Sequence, residues 1–130
     1  MTSDVSSTAI LLVDPYYDFI SEGGKLWPRV RAIAEEVQLL DHLRTIVSTA
    51  RETGHKVIFV PHRRWEPGNY VAFDNPTPYQ VASAKAQVFA KDTWGGTFHE
   101  DFQPQDGDRL HRAERFCSSD EKSLQLLRLT

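Results

Sequence analysis

The sequence holds one cysteine, Cys117, among its 130 residues. A single thiol can close no intrachain disulfide and can build no cysteine-based zinc site. Long apolar runs are missing too: nothing approaches the ~20 residues that a membrane-spanning helix needs. The opening stretch, Met1 to Ser7, is polar and lacks the basic-then-apolar order of a secretory signal. An excess of positive charge is also absent. The formal net charge is −3, which argues against a nucleic-acid partner, since such a partner usually meets a basic face. No internal repeat or low-complexity tract divides the chain. What remains is the expectation of one cytoplasmic domain over residues 8–130, behind a loose N-terminal tail at 1–7, with no membrane partner.

The apolar residues that are present fall into two short runs and one periodic stretch. Thr8-Ala9-Ile10-Leu11-Leu12-Val13-Asp14 is continuous and apolar and ends on an acid, with Pro15 behind it to stop a ladder. Lys56-Val57-Ile58-Phe59-Val60-Pro61 is a second run of the same kind. Runs like these read as strands buried on both faces, as in parallel sheets. Between them, Val30, Ile33, Val37, Leu40, Leu43, Val47 and Ala50 recur at helical spacing, so the pattern predicts one long helix over 28–53. Pro28 suits its first turn and Gly54 its stop. Strand, helix, strand is a βαβ unit, which parallel pairing requires.

Farther on the signals weaken. Residues 63–78 carry Pro, Gly, Asn and aromatics and read as a long loop. Four alanines favour a helix over 79–90, and Gly95-Gly96 mark another loop. A third strand is expected over 110–117 and a short helix over 119–129, capped by Ser119. The fold class expected is therefore α/β, a three-layer Rossmann-like arrangement with a mostly parallel sheet.

Ligands of open α/β sheets bind outside the carboxyl ends of the strands. Asp14 sits at such an end, although an aspartate there can also do no more than cap a turn. A haloacid-dehalogenase-type phosphatase would need a second acid two residues on, where this chain has Tyr16. A receiver domain would want further acids beside the first strand and a late lysine, a pattern the chain does not meet cleanly.

The ordered set of segments is more specific. Ala9-Ile10-Leu11-Leu12-Val13-Asp14, Asp18-Phe19, Gly23-Gly24-Lys25-Leu26, then a long helix and Lys56-Val57-Ile58-Phe59-Val60-Pro61-His62, resembles the opening of isochorismatase-like cysteine hydrolases. Phe89-Ala90-Lys91-Asp92-Thr93-Trp94-Gly95-Gly96-Thr97, followed by Phe102-Gln103-Pro104, resembles their approach to the third strand. The likeness spans roughly residues 8 to 119. It implies a sheet ordered third, second, first strand, and a triad of Asp, Lys and Cys. In that triad the aspartate is the base for a thiol that attacks a small amide-like or vinyl-ether substrate.

Carried over residue by residue, the resemblance assigns the aspartate to Asp14. The lysine's place falls on Glu114, a departure from the family pattern. Cys117 lies near the end of the expected third strand, whereas the family's nucleophile follows a fourth, so Cys117 is read as a small packing residue. After Ser119 the sequence leaves the pattern, and the sheet is expected to stop at the third strand with an apolar edge open to self-association. Phe19, Trp65 and Trp94 are candidate walls of a substrate pocket, with Tyr70, Phe73 and Tyr79 nearby; loop packing is their plainer role. Nicotinamidase-type members bind a metal through an Asp and two His. His55, His62, His99 and His111 are present, but no Asp-x-His spacing follows the second strand, so neither metal nor cofactor is expected. The functional expectation is a hydrolase acting on a small molecule; the alternative is a binding or association module in which this chain alone does not turn substrate over.

Overall fold

A computed structural model describes residues 4–70 and 73–111. The elements run β1 (Ala9–Val13), α1 (Tyr17–Ile20), α2 (Trp27–Glu36), α3 (Leu39–Glu52), β2 (Lys56–Val60), α4 (Pro78–Ala86) and β3 (Arg109–Leu110). Single 3-10 turns form at Val5–Ser7, Trp94–Gly96 and Glu100–Phe102. The first of these lies in the stretch read as a loose tail. Among the described residues no helix is long and apolar enough to cross a membrane.

The sheet is parallel throughout and ordered β1-β2-β3. Leu12 pairs with Phe59, and Phe59 with Leu110. Asp14 N–H donates to the Val60 carbonyl at 3.1 Å and His111 N–H to that of Phe59 at 2.8 Å, so both ladders run one step past the strand ends. The α/β class, the parallel pairing and the strand order agree with the sequence reading. Of the third strand expected over 110–117, residues 110 and 111 are described, and β3 covers Arg109–Leu110; residues 112–117 and the helix expected over 119–129 lie outside the described residues.

The single helix expected over 28–53 is two helices. The chain breaks at Val37-Gln38, where Gln38 takes a left-handed conformation with φ 49°. Packing explains the break. A straight helix across that span would run to about 39 Å at 1.5 Å per residue, while a five-residue strand covers about 17 Å. Bending lets α3 lay Val47 and Ala50 on Leu12, Val57 and Phe59, while α2 turns toward α1. The apolar stripe does not survive the bend, and Ile33 and Val37 end exposed. Gly54, at φ 76°, closes α3 in the left-handed conformation that glycine adopts without strain, and His55 N–H returns to the Ala50 carbonyl at 2.8 Å.

Two further expectations are corrected. The helix expected over 79–90 ends at Ala86, because Gln87 and Phe89 both have positive φ. Its start is fixed by a capping box between Thr77 and Gln80. And β1 is not buried on both faces. Leu12 is, but Leu11 and Val13 are 49% and 57% exposed. Alternation puts Leu12 on the side that α3 covers and its neighbours on the other.

Candidate functional site

The carboxyl ends of β1 and β2 meet in a cluster of polar groups over an aromatic floor. Asp14 follows β1 directly, with φ 52°, a conformation aspartate tolerates better than most residues. The turn it makes carries Tyr16 inward: Tyr16 N–H donates to the Asp14 carbonyl at 2.7 Å. Its ring is buried against Phe89 (4.9 Å between centroids) and Phe98 (5.0 Å), and its hydroxyl donates to the His62 carbonyl at 3.0 Å. His62 comes two residues after β2. Its Nδ1 faces the Arg63 carbonyl at 2.7 Å, an acceptor only, so Nδ1 carries the proton and Nε2 is the acceptor in the neutral ring. The Arg64 guanidinium lies 6.0 Å from the centre of the Tyr16 ring.

These neighbours set the protonation of the site. Half-burial raises the Asp14 carboxyl above its ordinary value, against the opposing charge and backbone N–H of His62. Burial raises Tyr16 as well, and the Asp14 charge adds to that, while Arg64 opposes it. A carboxylate so placed is a stronger proton acceptor than a free aspartate.

Beside this cluster lies a shallow, open hollow with room for about one water molecule, walled by Trp65, Tyr70, Tyr79 and Phe89, with His62 and Ser83 supplying polar groups. Of the expected wall residues, Trp65 stands in it. Phe19 does not; it packs partly buried against the core. Trp94 also lies elsewhere, half-exposed and stacked on Tyr17 at 4.7 Å between centroids. Glu114 and Cys117 fall outside the described residues. Among the described residues, no three or more His, Cys, Asp or Glu come together as a metal site.

The sequence reading counted His62 only among histidines without a metal-ligand spacing and did not single out Arg64. Register could have found the first. Val13 pairs with Val60, so the residues just past β2 lie at the level of Asp14. Asp18, read only as part of a motif, is buried in the core, where its carboxyl accepts backbone N–H groups of Phe89 and Lys25.

No curated protein matches this chain. The family model described as an isochorismatase domain matches residues 8–128, nearly its whole length. That match carries the aspartate-ended first strand, the parallel sheet and the polar mouth in a single span, and the chain belongs to the isochorismatase-domain family.

Proposed function

We propose that the mouth above β1 and β2 is the proton-accepting half of a hydrolytic site for a small molecule with an amide or vinyl-ether group, and that Asp14 is its base. The observation that carries this reading is the placing of Asp14. It stands at a strand's carboxyl end, with its carboxyl raised by burial, beside His62 and a shallow hollow with aromatic walls. In this chemistry the carboxylate takes the proton of an attacking thiol, and the aromatic walls hold the substrate and exclude water. Glu114 is proposed to occupy the place of the family's lysine, and no metal or cofactor takes part. Phe19 and Trp94, being away from the hollow, support the substrate only through the packing of the loops.

A second reading, a binding module without turnover, is favoured by the count of thiols. The one cysteine of the sequence, Cys117, comes only seven positions after Leu110 of β3, in the stretch the family uses for its third strand and not for its nucleophile. Cys117 is accordingly proposed to be a packing residue. The 130-residue chain is expected to bind small amides or isochorismate at Trp65, read by quenching of tryptophan fluorescence that is lost in Trp65→Phe. It is expected to hydrolyse neither above background. Turnover that disappears in both Asp14→Asn and Cys117→Ser, with folding intact, would refute the binding-only reading and make Cys117 the nucleophile. Failure of every ligand to report at Trp65 would remove the site itself.

A further inference from the structure

Asp18 is the acid whose position the proposed chemistry does not use. It is 2% exposed, and among the described residues no cation pairs with it. Its Oδ2 accepts the Phe89 N–H at 2.7 Å and its Oδ1 the Lys25 N–H at 3.1 Å, two backbone donors from separate loops. Gly95 completes the enclosure: a Cβ there would overlap the carboxyl group, so only glycine fits. The turn that reaches Asp18 is tied to the same corner a second time, by Lys25 Nζ donating to the Gln87 carbonyl at 2.6 Å.

The residue so gripped is held where its type rarely goes. Phe89 has φ 56°, in the left-handed region that bulky side chains avoid unless their surroundings over-determine them. Asp18 takes its N–H. Its carbonyl accepts the Trp65 N–H at 3.0 Å, and the Trp65 carbonyl accepts that of Lys91 at 3.0 Å. The ring this backbone aims lies 4.9 Å from Tyr16 and 5.1 Å from His62, two side chains that share the mouth with Asp14.

We propose that Asp18 is a positioning residue for the Asp14 site: by holding the Phe89 amide it aims the ring that sets Tyr16 and His62 beside Asp14, and it keeps Trp65 on the wall of the hollow. This inference rests on reading the mouth as the functional site. Its test needs neither ligand nor turnover, so the two fail separately. Loss of ligand binding would leave the following outcomes untouched.

The test is NMR of the isotope-labelled 130-residue chain in three forms: native, Asp18→Asn and Val47→Ala. Asparagine keeps the shape but turns one acceptor into a donor that faces a backbone N–H. In Asp18→Asn the His62 ring protons and the Phe89 and Trp65 amides are expected to move well outside their native linewidths. Val47→Ala, a core truncation on α3, lowers stability and leaves those signals in place. Asp18→Asn signals at His62, Phe89 and Trp65 that superimpose on the native ones, with stability reduced as in Val47→Ala, would overturn the proposal and leave Asp18 a core residue only. If Asp18→Asn does not fold, amide exchange in the native chain decides. The gripped Phe89 amide is expected to exchange about a hundredfold more slowly than exposed loop amides. Exchange at the loop rate would equally overturn the proposal.

Discussion

Asp14 carries a cost that its surroundings do not remove. Half-burial strips water from its carboxylate, and the compensation from His62 is smaller than the penalty, so the carboxyl titrates above its ordinary value of 3.8. A raised folded value means that folding favours the protonated form. The stabilising contribution is therefore complete below 3.8 and is lost as pH rises through the raised value. Asp14→Asn removes the charge and keeps the shape. It is expected to melt higher than the native protein near neutral pH, and the difference is expected to vanish in acid below 3.8. Thermal unfolding followed by circular dichroism at the two pH values checks this. A variant less stable than native near neutrality would mean that the carboxylate is stabilised where it sits, and a stabilised carboxylate is a poor base. Destabilisation of this kind is common where a group is kept for chemistry.

The break between α2 and α3 shows where periodicity misleads. Seven apolar residues at helical spacing describe one face, but spacing cannot register a change of direction when no Gly or Pro marks it. Val37-Gln38 is neither, and Gln38 alone absorbs the bend at φ 49°. The strands and their parallel pairing were legible because continuous apolar runs joined by a helical span leave few topologies. The exposure of Leu11 and Val13 was not, since it depends on which face the helices cover. Gln38 occupies the position after a helix end where glycine is favoured. Gln38→Gly should thus relieve the left-handed strain and raise stability by about 0.5–1 kcal/mol, measured by urea unfolding, instead of costing about that much as glycine does inside a helix. A loss of that size would show that the chain runs through Gln38 as one continuous helix.

The whole molecule is held by rings gathered at the carboxyl end of the sheet. Phe59, Phe98, Phe89 and Tyr16 form the centre, and Phe102 and His99 close its flank. The sequence contained the residues of this assembly, yet of the site residues it singled out, Asp14, Glu114, Phe19, Trp65 and Trp94, only Asp14 and Trp65 stand at the mouth among the described residues. The contacts that make His62, Arg64 and Asp18 matter come from loops whose conformations have no periodic signature. His99 ties that flank to solution conditions. It lies between Tyr17 and Phe102, with Nδ1 accepting the Asp101 N–H at 3.1 Å, so the neutral ring carries its proton on Nε2. Burial lowers its basicity. The charges of Asp101 and Glu100 oppose that, and Arg44 reinforces it. A histidine with a lowered folded value binds its proton more readily when unfolded. Its contribution is then present above the unfolded value of 6.5 and is lost as pH falls toward the folded one. Stability from urea unfolding should decline on acidification from 6.5, and the decline should be shallower in His99→Asn, whose side-chain oxygen can still accept from Asp101 and cannot be protonated in that range. The other histidines are common to both proteins, so the difference between the two pH profiles isolates His99. Parallel profiles would mean that the ring is protonated in place, with Asp101, whose carboxylate lies 3.6 Å from Nδ1, taking over as its partner.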